Sequence, residues 1–156
     1  MSETQHKGGS TGPHQFQLES WISCAPFERL LHLEIIEAQN GKATLTMPFL
    51  LDFAQGGGLM HGGALVSLAD TAVVMAIKSL LPQGTHFATI SMEIKFLYPV
   101  KQGVVTARAE VIHREGRTID GRATLYNEEG RCVLEFCSVF KIARDKTIKE
   151  INVKGS

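Results

Sequence analysis

Residues 62–81 read GGALVSLADTAVVMAIKSLL. Small and apolar side chains fall on nearly every side of a helix drawn through them, so the segment predicts a helix buried all round rather than one lying on a surface. Twenty residues make it roughly 30 Å long. Such a run invites a membrane-spanning reading. Asp70 in its middle and Lys78 near its end argue against that, because charge at bilayer depth is costly. Pro82-Gln83-Gly84 closes the helix.

Outward from this helix the pattern changes to alternation. On the C-terminal side four strands are predicted, over 89–99, 104–113, 117–126 and 131–142, separated by short turns. Ile90, Met92, Ile94, Phe96 and Tyr98 share one face of the first by parity; Val105, Ala107, Ala109 and Val111 share one face of the second. On the N-terminal side, 33–39 and 42–49 flank Asn40-Gly41, the strongest short signal for a hairpin. Before them, 18–25 (LESWISCA) reads as a short amphipathic helix with Trp21 as a packing anchor. Pro26 then opens a second helical turn, PFERLL. The glycine-rich stretch 52–63, DFAQGGGLMHGG, is a loop running into the long helix. The architecture is therefore α+β, one long central helix wrapped by a curved antiparallel sheet. A helix apolar on all sides needs more cover than one sheet gives, and a second subunit can supply the rest.

The chain has 156 residues, of which 44% are hydrophobic and 21% charged. This length suits one core, and excludes a cofactor domain paired with a substrate domain. We divide it into an N-terminal segment, 1–17, polar and read as disordered; a domain, 18–142; and a charged tail, 143–156. Sixteen basic and sixteen acidic residues balance to zero. That argues against a nucleic-acid partner and against a polybasic membrane anchor. An anionic ligand must be met by local charges, not by the field of the whole protein. Three cysteines without CxxC spacing form neither a disulfide framework nor a zinc site. Six scattered histidines show no ligand spacing, so no metal site is expected. The N-terminus lacks a signal-peptide core, and a cytoplasmic location is expected.

Two features can carry chemistry. His61-Gly62-Gly63 opens the long helix, where the first N–H groups have no intrahelical partner and the dipole is positive. Glycines let a carbonyl oxygen approach those donors, which suits an oxygen gaining charge in a transition state. Asp70 is the second, a carboxylate amid apolar neighbours, costly unless paired or useful. The eight residues from Gly62 to Asp70 span roughly 12 Å of helix. One substrate carbonyl cannot touch both in one chain. If both act on one bond, Gly62 of one chain must meet Asp70 of another.

The stretch QGGGLMHGGALVSLADTA (55–72), followed by TISMEIKFLYPVKQG (89–103) and HREGRT (113–118), resembles the hot-dog-fold acyl-CoA thioesterases. It is most similar to their phenylacetyl-CoA and 4-hydroxybenzoyl-CoA thioesterase type (PaaI-like), with the HGG motif, across about residues 26–142. The resemblance implies hydrolysis of an acyl-CoA to a carboxylic acid and free CoA, without metal or redox cofactor, in homodimers that often pair into tetramers. It implies that Gly62 donates its N–H to the thioester carbonyl, with Gly63 beside it on the substrate. Asp70 would act as general base or as nucleophile. His61 would position the carbonyl-binding loop. Gln55 stands where relatives often carry Asn, a departure that a longer amide can serve. Thr89 matches a position that holds the water or the carboxylate. Arg114 and Arg117 are candidates for the CoA phosphates. Two alternatives stand: a non-catalytic acyl-CoA sensor, and another hot-dog acyl-CoA enzyme such as a dehydratase. The acyl group is left open.

Overall fold

The computed structural model describes residues 9–144. The element order is α1 (Pro26–Leu30), β1 (Glu34–Gln39), β2 (Lys42–Pro48), a 3-10 turn (Leu51–Phe53), α2 (Gly62–Lys78), β3 (Phe87–Phe96), β4 (Val104–Glu115), β5 (Thr118–Tyr126) and β6 (Cys132–Ile142). Six strands form one curved antiparallel sheet in the order β1-β2-β4-β5-β6-β3. This is the expected α+β architecture, with α2 packed across one face of the sheet.

The β1–β2 hairpin turns at Asn40 and Gly41, whose φ angles are +52° and +75°. Both central residues are left-handed, as a two-residue turn matched to strand twist requires. Ala43, Leu45 and Met47 then point inward from β2, and Val105, Ala107 and Ala109 from β4; all six are buried. Leu68, Ala72, Val73 and Ala76 of α2 meet them with no exposed surface. At Gly121 of β5 the helix comes close. A Cβ there would lie 2.3 Å from Cγ1 of Val73, so only glycine admits this approach.

Several expectations are corrected. Residues 18–25 form no helix. Ser20 and Ser23 bond instead to nearby backbone, with Ser23 Oγ donating to Ser20 O at 2.7 Å and Ser20 Oγ to Ile22 O at 3.1 Å. Such local bonds compete with helical ones. Trp21 still anchors the segment, but to α2: its Nε1 donates to Lys78 O at 2.9 Å. Helix α2 ends at Lys78, short of the predicted Leu81. There Ser79 Oγ turns back to Ala76 O at 2.6 Å while accepting from Gly41 N at 2.8 Å. Nor is α2 buried all round. Gly63 is exposed and Ser67, Asp70, Val74 and Lys78, spaced by three or four residues from it and one another, keep partial exposure along one stripe. The strand predicted at 89–99 runs from Phe87 to Phe96, with its register broken between Thr89 and Ser91.

Among the described residues, no helix is long and apolar enough to cross a membrane. Residues 9–17 are irregular and 143–144 end the described chain. The rest of the expected N-terminal segment (1–8) and tail (145–156) lies outside the described residues.

Candidate active site

The α2 N-terminus is built by a tightly tied loop. Ala54 bridges to Met60, Met60 N bonds to Val100 O at 2.9 Å, and His61 N to Phe53 O at 2.7 Å. His61 is the N-cap. Its Nδ1 accepts from Gly63 N at 2.8 Å, so in the neutral ring the proton resides on Nε2. This satisfies one of the orphan donors that every helix start carries. Gly63 is shaped to this task, because a Cβ there would sit 2.9 Å from His61 Nδ1. The Gly63 amide is therefore committed to the histidine. The Gly62 amide is different: among the described residues nothing accepts from it. Beside it lies the Phe96 ring, 3.1 Å from where a Gly62 Cβ would stand. A small acceptor atom can reach this N–H; a side chain on residue 62 would be in the way.

Gln55 holds the loop itself. Its Oε1 accepts from Gly57 N, and its backbone pairs with Leu59 and Gly58.

Asp70 sits two turns further along α2, half-buried on the exposed stripe. The Thr89 hydroxyl donates to its Oδ1 at 2.9 Å. Burial pushes the Asp70 carboxyl above its ordinary pKa, and the charge of Glu28 adds to this; the Thr89 bond opposes both by favouring the ionised form. The break in β3 makes this contact possible. Thr89 pairs with Phe140 and Met92 with Ser138, both inward residues of β6, so Ile90 is an extra residue between them. Strict alternation would have turned Thr89 away from the helix.

Arg114 and Arg117 lie apart from both groups, at the β4–β5 turn. Arg114 Nε donates to Gly116 O at 3.3 Å and Arg117 Nη1 to Ile142 O at 2.9 Å. This is the end of the sheet near the C-terminus of α2, since Ile142 pairs with Phe87, which lines one cavity with Lys78. Among the described residues no three His, Cys, Asp or Glu side chains cluster as a metal site would require. All three cysteines are free.

Sequence reasoning missed Phe96 over Gly62 and Glu28 near Asp70. No local pattern announces either, because each pair is brought together from distant segments.

A long helix packed across one curved six-stranded antiparallel sheet is the hot-dog fold. A family model described as Thioesterase superfamily matches residues 57–134. The chain is 33% identical to acyl-coenzyme A thioesterase PaaI of Escherichia coli over 69% of its own length and 76% of that protein. It is 32% identical to a 1,4-dihydroxy-2-naphthoyl-CoA hydrolase of Listeria monocytogenes, over 55% of this chain and 70% of that one. The solved Escherichia coli PaaI structure superposes with a TM-score of 0.71 at 30% identity, covering 77% of this chain and 86% of the other. A conserved Pseudomonas aeruginosa protein, PA5202, shares the fold with a TM-score of 0.74 at 24% identity, over 79% and 97% of the two chains. This chain belongs to the thioesterase superfamily and is a PaaI-like thioester hydrolase.

Proposed function

We propose that this protein hydrolyses acyl-CoA thioesters to a carboxylic acid and free CoA, at a site shared between two copies. One observation carries the reading. The unpartnered Gly62 N–H at the start of α2 and the Asp70–Thr89 pair lie on one helix, roughly 12 Å apart along its axis. Two such helices running antiparallel bring Gly62 of one copy to Asp70 of the other.

The edge strand β3 supports the same assembly. It pairs only with β6, and its free edge carries Ile90 and Phe96, each more than half exposed. A ten-residue strand with one unpaired edge is a template for pairing with another strand. The two named CoA thioester hydrolases among the relatives support CoA as the carrier. A homodimer is the minimal unit; pairing of dimers into tetramers is a further expectation that sedimentation would read.

In this site the Gly62 N–H, at the positive end of α2, donates to the thioester carbonyl oxygen. It holds the charge that develops as the carbonyl carbon becomes tetrahedral. Ionised Asp70 takes a proton from water, whose oxygen attacks that carbon. Alternatively the carboxylate attacks directly and water cleaves the resulting anhydride. Either way the C–S bond breaks and CoA leaves as its thiol with one proton. Water is the only co-reactant, so the proposed reaction needs no cofactor. Arg114 and Arg117 of the copy that supplies Gly62 are proposed to meet the CoA phosphates. An alanine variant that leaves KM for acyl-CoA unchanged removes that residue. Free cysteines suit a reducing cytoplasm.

The test is a panel of acyl-CoAs incubated with the protein and a thiol reagent. Release of CoA that disappears in Asp70→Asn is expected. Tight binding of acyl-CoA without turnover by the wild type would overturn this reading in favour of a sensor.

A further inference from the structure

Next to Asp70, on the side towards the C-terminus of α2, lies an open cavity of about 360 Å³. Thr89 and Val74 line its near end, Phe87 and Phe140 its wall, and Trp21 with Lys78 its far end. Thr89 is the residue that bonds Asp70, so the cavity begins at the proposed reaction centre. Val74 and Lys78 lie one and two turns beyond Asp70, which sets the far end roughly 12 Å along the helix.

That far end is fastened by reciprocal contacts. Trp21 Nε1 donates to Lys78 O at 2.9 Å, and Lys78 Nζ donates to Trp21 O at 3.0 Å. The ammonium also stands 4.6 Å from the centre of the indole ring. Each bond crosses fifty-seven positions of the sequence. The indole thus caps an orphan carbonyl at the helix C-terminus and is held by a cation on the same turn. Trp21 lies outside residues 57–134, where the superfamily match falls, in the segment that precedes α1.

Resting on the thioesterase reading above, we infer that this cavity receives the acyl group and that Trp21 is its end wall, a specificity-determining residue that restricts the enzyme to compact acyl groups. The volume agrees, standing near the low end of the roughly 300–1,000 Å³ usual for ligand pockets. Val74, Phe87, Ala88, Phe140 and the Trp21 indole give the lining its apolar part, Thr85, His86, Thr89 and Lys78 its polar part, and the polar groups of Trp21 and Lys78 are engaged with each other at the far end. A short-chain or single-ring acyl group fills such a space. A long-chain acyl group meets the indole.

Trp21 is the only tryptophan in the chain, so its fluorescence reports directly on this cavity. The experiment has two arms. In the first, straight-chain acyl-CoAs of increasing length and benzoyl-CoA are compared on the wild type, Trp21→Ala and Trp21→Phe. Trp21→Ala should raise the long-to-short ratio of kcat/KM by roughly tenfold or more, the range a remodelled apolar pocket commands. Trp21→Phe, which keeps a ring there, should stay near the wild-type ratio. A merely structural loss would lower all substrates together and leave the ratio where it was. In the second arm, hexanoate and benzoate are titrated into the wild-type protein, and each should change Trp21 emission with saturation. This arm decides the matter even if Trp21→Ala fails to fold. Hydrolysis with an unchanged ratio, or emission unmoved at acid concentrations that inhibit hydrolysis, overturns the assignment of Trp21. A wild type that hydrolyses no acyl-CoA in the panel overturns the thioesterase reading itself.

Discussion

Thr89 donates its hydroxyl to Oδ1 of Asp70 at 2.9 Å, from the edge strand to the exposed stripe of the long helix. Burial raises the Asp70 pKa, while this bond stabilises the charged form. If the ionised carboxylate is the competent form, kcat/KM rises with pH through an apparent pKa above the ordinary aspartate range. Thr89→Val removes the bond that lowers this pKa, so the rising limb should move to higher pH. A pH–rate profile of both proteins checks this; a limb that stays put or moves down sinks the proposed coupling.

Asp70→Asn should cut turnover by at least about a hundredfold, the low end for a lost acid–base group. It should also stabilise the fold at neutral pH. The folded-state pKa of Asp70 is raised, so the charged carboxylate is less favourable in the fold than in the unfolded chain. That penalty is present above the folded pKa. It fades as pH falls through it towards the ordinary aspartate value. Thermal melts should therefore show the Asp70→Asn variant ahead of wild type at pH 7, with the advantage shrinking near pH 4. An equal gap at both pH values would contradict the assignment.

Mixed dimers test the shared site. Asp70→Asn and Gly62→Val should each be inactive, the latter because its side chain would meet Phe96. After subunit exchange, an equal mixture should recover about a quarter of wild-type activity, from one intact site in each mixed dimer. No recovery despite demonstrated exchange would place both groups in separate roles.

Gly63→Ala pushes a methyl group against the His61 ring, 2.9 Å from Nδ1. The ring must move and the cap is lost. Stability should drop by about 0.5–2 kcal/mol, as for other lost N-caps. His61→Ala should lose a similar amount by removing the acceptor. Urea denaturation reads both, and a Gly63→Ala protein as stable as the wild type would show that the cap contributes nothing.

Gly121→Val sets a branched side chain against Val73, where helix and sheet meet. Overpacking of this kind costs about 1–3 kcal/mol. The melting temperature should fall although the residue lies in no candidate site. An unchanged melting temperature would mean the helix can shift away freely.

How legible this molecule is depends on range. The Asn40-Gly41 turn, Pro26 at the start of α1 and the inward faces of β2 and β4 follow from neighbours two to four positions apart. So do the candidate positions His61, Gly62 and Asp70, the last two too far apart on the helix to serve one carbonyl in one chain. The segment 18–25 misleads because its apolar spacing suits a helix while Ser20 and Ser23 offer the backbone other partners. The end of α2 falls three residues short of its sequence-based position because Ser79 and Trp21 satisfy its last carbonyls from outside the helix.

By itself the sequence determined a central helix and six antiparallel strands, because periodicity and turn chemistry are local; its thioesterase reading came from the resemblance carried by residues 55–72, 89–103 and 113–118. Only the tertiary structure decided which residues face one another. The extra residue at Ile90 turns Thr89 onto Asp70; parity along β3 points it the other way. Gly121 yields to Val73, and Trp21 is bolted to Lys78 at the end of the cavity. Each of these joins segments remote in the chain, and the energy that fixes them comes from packing and pairing that no local run of residues contains.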